Sequence, residues 1–357
     1  MKVAIIGAGV AGLACAHELE RYGITPTIFE IKDYIGDAAS HVGVMLEIYN
    51  RPLRNAVKFL QKEFAISLDP LNQVRSITHR SPRRTTAIKG DLGSLFIRGR
   101  ERDSVMAQLS SQLRTTEVRF NEVVDYKELS MQYDYVVVAN GTPVITREMG
   151  CWDEKVQGWV KGAVVLGDFD PNELVIWLNN DYGQKGYAYL APFNNKKASL
   201  VLFVPYISAN QITHYWEKFV DLENISYPIV QDFECKHFSG FVNPHKTGNI
   251  YFAGIAGGAL DAFLGFGLLT SILQGVFAAQ SIALGKDYEK LVQGVVKRNQ
   301  ALHEFRRSFD NAENADFDKI FSVIGLPGIR QITYNSPLNV VQVGSALLRW
   351  ARGWAGE

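Results

Sequence analysis

Cysteine is scarce in this chain: three residues in 357, at Cys15, Cys151 and Cys235, with no CxxC pair and no histidine-rich spacing. So few and so scattered, they exclude a disulfide framework and a zinc site, and they fit a reducing cytosol; a cytoplasmic protein without a metal is expected. Charge of one sign is missing too. The 37 basic and 37 acidic side chains cancel, which leaves no field for counterion release, so nucleic acid is not an expected partner. The arginines within residues 80–84, interrupted by Pro82, read as a solvated loop. Also absent are GxSxG, a Ser-His-Asp spacing and paired carboxylates on one face, the usual signs of chemistry done by side chains alone. What remains is 47% hydrophobic and 21% charged, a balance that rules out disorder and collagen-like fibres. At roughly 150 residues per domain, the length supports two or three domains.

Two apolar runs need an explanation. Met1-Lys2 followed by residues 3–16 imitates a secretory signal, and residues 262–285 hold no charged side chain and are long enough to suggest a membrane span. The first run is better read as strand, turn and helix. Residues 2–6 are a short run rich in β-branched side chains, Gly7-Ala8-Gly9-Val10-Ala11-Gly12 breaks it, residues 13–22 have helical spacing, and residues 25–30 return to strand. In such a βαβ unit Gly7 permits the tight turn, Gly9 lets backbone N–H groups approach a pyrophosphate, and Gly12 lets helix and strand pack closely. Glu30, at the end of the second strand, is placed to accept hydrogen bonds from an adenosine ribose.

A second apolar strand, residues 134–139, ends in Asn140-Gly141-Thr142-Pro143, as a central parallel strand does where it meets a ligand. A third, residues 249–253, runs into Gly254, Gly257 and Gly258, then Gly265 and Gly267, and then the uncharged run. Four glycines and polar Thr270, Ser271, Gln274 and Gln280 make that run a core helix behind a cofactor rather than a lipid span.

These three elements, in this order, resemble the glutathione-reductase-type FAD-binding fold, and within it the aromatic-hydroxylase and geranylgeranyl reductase superfamily. Gly254, Ala256, Gly258, Gly265, Gly267, Gly275, Ala278 and Ala279 fall on the family frame without a gap. One position departs. Where the family has an aspartate on a cofactor hydroxyl, this chain has Ile255, and losing that bond costs about 1.5–3 kcal/mol, roughly ten- to a hundredfold in affinity. Asp261 is the nearby acid available to compensate. The resemblance implies an α/β architecture: a Rossmann-like FAD-binding domain (1–70, 91–148 and 246–285), an inserted antiparallel β-sheet substrate domain (71–90 and 149–245) and a helical C-terminal extension (286–357). It also implies FAD on Gly7, Ala8, Gly9, Val10, Ala11, Gly12, Glu30, Gly141, Gly254, Ile255, Gly265 and Gly267. Arg100 lies where the family has an arginine opening a helix beside the cofactor.

Residues 160–204 read as strands that roof the flavin. Within them Gly186-Tyr187-Ala188-Tyr189-Leu190-Ala191-Pro192 resembles the Tyr-x-Trp-x-Phe-Pro motif by which geranylgeranyl reductases line a lipid-tail channel, which implies a substrate wall at Tyr187, Tyr189 and Pro192. The flavin does the hydride chemistry in this family, with NAD(P)H or a reduced electron carrier as transient reductant. His41, where relatives carry Lys or Arg, is the candidate proton donor or stabiliser of reduced flavin, and Val42 replaces the family cysteine. The implied function is reduction of a C=C bond in an isoprenoid or similar apolar small molecule. An NAD(P)H- and O2-dependent monooxygenase or a halogenase on the same scaffold is the alternative enzyme, and a non-catalytic homologue binding an apolar ligand is the alternative from another class. Residues 347–354, with Trp350, Trp354, Arg349 and Arg352, suggest a weak peripheral membrane contact, and no oligomeric state is implied.

Overall fold

The computed structural model describes residues 1–326, 328 and 339–345. The segment 347–354 therefore lies outside the described residues. The N-terminal pattern folds as its spacing predicts: strand Val3–Ile6, helix Val10–Arg21 and strand Thr27–Glu30. Val3–Ile6 sits centrally in a six-stranded sheet, flanked by parallel Thr27–Glu30 and Tyr135–Val138. Glu117–Phe120 and Ile250–Phe252 continue the parallel order outward, and Lys246–Thr247 turns back at one edge. Parallel strands buried on both faces need continuous apolar runs, and Val136, Val137 and Val138 are all fully buried.

The uncharged run is a short loop, 262–267, followed by helix Leu268–Leu284, 17 residues long and buried along most of its length. It packs on helix Val10–Arg21, where a Cβ at Gly275 would lie 2.1 Å from the Ala11 carbonyl oxygen. Among the described residues no helix is long and apolar enough to cross a membrane.

An eight-stranded sheet forms the second layer, in the order Ile229–Val242, Trp152–Leu166, Lys197–Pro205, Tyr187–Pro192, Glu173–Trp177, Asn72–Ser81, Arg84–Arg98, His41–Leu46. All neighbours are antiparallel except Asn72–Ser81 with Glu173–Trp177. Alternation divides its faces. Trp177, Ala188, Leu190, Leu200, Leu202 and Val204 bury against helices Asn180–Gly183 and Ile212–Leu222, while Ile176, Tyr187 and Tyr189 face the cofactor layer.

One expectation changes here. The boundaries at residues 70 and 91 do not separate the sheets, because His41–Leu46 pairs with Gly93–Arg98 in the second sheet. His41 is thus on a strand. The arginine-rich segment 80–84 is a hairpin tip between Asn72–Ser81 and Arg84–Arg98. Helix Tyr288–Asp310, about 35 Å long at 1.5 Å per residue, straps the two layers together. Asn299 Nδ2 donates to Gly258 O at 2.9 Å at the cofactor layer, and Arg306 Nη2 donates to Lys185 O at 2.7 Å at the second sheet.

Two histidines of the second sheet, buried His79 and part-buried His237, are both pushed down to about 4 by desolvation. Each stays neutral in the folded chain while the unfolded chain protonates near 6.5, so their stabilisation is complete above pH 6.5 and falls as the pH drops towards 4. The expected loss is about 3 kcal/mol per histidine across that window. Urea unfolding between pH 7.5 and 4.5 should show it, and His237→Gln should flatten the slope by about half.

Candidate active site

One cavity of about 560 Å³ opens between the two layers, a size suited to a cofactor and substrate. Its floor begins at the glycine turn. Gly7 holds φ +105° and a Cβ there would lie 2.6 Å from Ala139 O, so the chain turns tightly beneath the central strand only as glycine. Gly9, Val10 and Ala11 line the cavity at the start of helix Val10–Arg21. That helix has no side-chain cap and no acidic residue in its first turn, which leaves backbone N–H groups and positive dipole for an anion.

Across the cavity Gly254, Ile255, Gly265 and Gly267 line the approach to helix Leu268–Leu284. Gly267 is its N-cap, again with no side-chain cap and no acid in the first turn. The other helices of nine or more residues that begin directly from loops, at Ala56, Tyr288 and Asn314, are capped by Asn55, Asp287 and Glu313. Both uncapped starts therefore face one space. Two bare N-termini, a close-packed glycine turn and a strand-end acid fit the pyrophosphate, ribose and ring of FAD. Glu30 is buried behind the turn, with Oε2 accepting Ala8 N–H at 2.8 Å and Oε1 accepting Lys32 N–H at 3.0 Å, and each oxygen keeps a further lone pair.

Asp261 does not replace the missing aspartate at position 255. It is buried and turned into its own loop, where Oδ1 accepts the N–H groups of Phe263 and Leu264 at 2.9 and 2.8 Å and Oδ2 accepts Phe266 N–H at 3.0 Å. Its role is to fold the turn that carries Leu264 to Gly267 into the cavity wall.

The second sheet supplies the roof. Tyr187 and Tyr189 line the cavity with their rings stacked at 6.4 Å between centroids. Both hydroxyls are taken up by backbone: Tyr187 donates to Leu264 O, and Tyr189 donates to Val42 O at 3.1 Å. The first bond ties the roof to the loop that precedes helix Leu268–Leu284, the second ties it to strand His41–Leu46 of the same sheet, and together they leave ring faces, not hydroxyls, towards the space. His41 also lines the cavity, and its Nδ1 lies 3.1 Å from Ala39 O. A carbonyl only accepts, so Nδ1 carries the proton and Nε2 is the acceptor in the neutral ring. Burial, then Arg98, lower its pKa against Asp37, and the imidazole is neutral near pH 7.

Gly9, Val10, Ala11, His41, Gly141, Tyr187, Tyr189, Gly254, Ile255, Gly265 and Gly267 therefore converge on one cavity. Gly7, Ala8, Gly12 and Glu30 stand behind its wall and shape it, and Pro192 is buried in the sheet away from it. Arg100 does not line the cavity, because its guanidinium stacks on the Tyr34 ring at 3.4 Å, beyond the bend at Gly99. The arginine that does is Arg98, whose Nε donates to Asp37 Oδ2 at 2.8 Å. Lys32 and Asp37 join it at the polar end. No local spacing marks these three; Arg98 comes to His41 only through strand pairing.

A family model described as pyridine nucleotide-disulphide oxidoreductase matches residues 1–156. The whole chain superposes on a geranylgeranyl bacteriochlorophyll reductase-like protein from Thermoplasma acidophilum, with a TM-score of 0.74, 16% identity, and 97% of this chain and 98% of that one covered. A flavin-dependent brominase gives 0.67 at 14% identity, covering 99% of each chain. The fold is that of the FAD-dependent oxidoreductases. p-Nitrophenol 4-monooxygenase from Pseudomonas putida shares it, with a TM-score of 0.65 at 14% identity over 93% of this chain and 96% of that one. Among curated sequences, human lysine-specific histone demethylase 2 is 40% identical over 75 residues, 19% of this chain. This chain spans only 9–10% of the length of the curated relatives it matches.

Ile255→Asp should tighten FAD binding roughly ten- to a hundredfold, read as the dissociation constant by flavin fluorescence quenching. Asp261→Ala orphans three N–H groups and should lower stability by at least about 2 kcal/mol while reducing flavin occupancy.

Proposed function

We propose that this chain is an FAD-dependent oxidoreductase that reduces a C=C bond of an isoprenoid or similarly apolar small molecule. The observation that carries this reading is the tethering of both wall phenols. With the Tyr187 and Tyr189 hydroxyls bound to Leu264 O and Val42 O, the roof offers two aromatic faces and no free donor. Val44, Leu174, Ile176, Leu260, Leu264 and Phe266 complete an apolar compartment beside them. A substrate with few polar groups loses nothing against this wall, whereas a hydroxyl turned towards it would be left unpaired. FAD supplies hydride transfer when bound, and NAD(P)H or a reduced electron carrier recharges it by transient docking.

The chain's own residues divide the remaining work. The two bare helix starts hold the pyrophosphate and polarise the ring end of the cofactor, Glu30 takes the adenosine ribose, and the tyrosine wall excludes water. His41 enters as a hydrogen-bond acceptor. Its Nδ1 proton is committed to Ala39 O, so the proton that completes reduction comes from solvent at the polar end, beside Lys32, Asp37 and Arg98. A second reading, an NAD(P)H- and O2-dependent monooxygenase or halogenase, is favoured by that same acceptor, which suits removal of a proton from a substrate hydroxyl or amine.

The protein as purified should be yellow, and anaerobic titration with dithionite should bleach it with an isosbestic transition. Anaerobic turnover of a polyprenyl alkene by the reduced protein is the expected result, and turnover only with O2 would transfer the assignment to the second reading. A colourless protein that takes up no FAD would sink both. Tyr189→Phe frees Val42 O and should raise KM for the apolar substrate several-fold with little change in kcat, because it loosens the wall without touching the reacting atoms.

A further inference from the structure

Gly162 lies within strand Trp152–Leu166, directly opposite Phe233 on strand Ile229–Val242. Its φ is not positive, so the backbone does not require glycine, and glycine weakens a strand interior. Space is the reason for it. A Cβ at 162 would lie 2.3 and 2.4 Å from Cζ and Cε1 of the Phe233 ring, which occupies the notch the missing side chain leaves. From there the ring packs on the His41 imidazole, with centroids 5.4 Å apart and planes tilted by 38°.

We propose that Phe233 is a positioning residue: seated in the Gly162 notch, it holds the His41 ring with Nδ1–H on the Ala39 carbonyl and so presents Nε2 to the cavity as acceptor for a ligand N–H or O–H. Three strands and one loop converge to do this. Ala39 precedes the His41 strand, Arg98 is the direct strand partner of His41, and Phe233 arrives from the opposite edge of the sheet. Among the described residues the hydrogen bond of the His41 ring is the one between Nδ1 and Ala39 O. The charged and titratable groups around the ring are Arg98 on the paired strand, Asp37 and Glu101 on the flanking loops, and Cys235 two residues beyond Phe233 on the same face as its ring. Burial and Arg98 keep the ring neutral against the pull of Asp37 and Glu101, so the tautomer, rather than protonation, decides what Nε2 does. The consequence for catalysis rests on the proposed flavoenzyme function, whereas the tautomer is a property of the protein alone.

The test is nitrogen-15 spectroscopy of the histidine rings in the full chain, with His41 assigned by the signal lost in His41→Gln. Wild type should show a protonated Nδ1 and a bare Nε2 at pH 7, with roughly a tenfold excess of that tautomer set by the carbonyl bond. Phe233→Ala should bring the two tautomers towards parity and raise the midpoint of His41 titration as water reaches the ring, and Phe233→Tyr should restore the wild-type pattern. Gly162→Ala should reproduce Phe233→Ala by expelling the ring, and the double variant should be no worse than either single one. Thermal melts identify any variant that fails to fold, and the Phe233 pair decides the matter if Gly162→Ala does. A wild-type His41 protonated on Nε2, or a tautomer ratio unmoved in Phe233→Ala, overturns the proposal. Neither outcome depends on whether FAD is bound, so a failed flavin titration leaves this result readable.

Discussion

The structure depends on one close approach, that of helix Leu268–Leu284 to helix Val10–Arg21 at Gly275 and Ala11, where a single methyl would collide with the backbone. Dense helix packing is usually a matter of stability. Here it also sets electrostatics, because two helices held this close direct both uncapped N-termini at one cavity. Each start is bare of side-chain oxygen and of acid, and their partial positive charges add over a space screened from water by the second sheet. The two runs that looked secretory and membrane-spanning are the two halves of this contact. Their lack of charge is what a helix pair buried on nearly every face requires.

The roof is fixed to that base by polar bonds from apolar residues. Tyr187 reaches Leu264 O on the loop before helix Leu268–Leu284 and Tyr189 reaches Val42 O on the far edge strand of its own sheet, so the rings that form the wall also clamp two segments flanking the cofactor space. Asp261 stiffens the first of those segments from within, and Asn299 and Arg306 on the C-terminal strap hold the glycine turn at Gly258 and the start of the tyrosine strand at Lys185. Lys185 and Gln184 adopt left-handed backbone conformations unusual for their type. Such a turn persists because Asn180 and Arg306 bond it from both sides. An apolar compartment with a polar mouth of Lys32, Asp37 and Arg98 follows from this arrangement.

Much of the base was legible from residue order. Gly7 to Gly12, the valines before Asn140 and the glycine ladder from Gly254 to Gly275 are local patterns, each with a backbone reason for its residue type, and the structure places them around one space. The second sheet was legible only in part. Strand Ile229–Val242 is an exposed edge carrying Gln231, Asp232, Glu234 and Lys236, so it lacks the apolar alternation by which buried strands announce themselves. Strand His41–Leu46 carries a central glycine and pairs with residues 93–98, far along the chain. Arg100 resembled the cofactor arginine by position along the chain, yet it stacks on Tyr34 past the bend at Gly99, and the arginine that lines the cavity is Arg98.

By itself the sequence determined the dinucleotide turn, the parallel strands beneath it and the apolar character of the interior, because those depend on spacing and side-chain volume within a few residues. Tertiary structure alone decided which polar groups share the cavity, that Asp261 serves its own loop, and that His41 Nδ1 sits against the Ala39 carbonyl. The reason is physical: hydrogen-bond roles and tautomers are set by the nearest partner in space, and strand pairing brings together partners that the chain order keeps far apart.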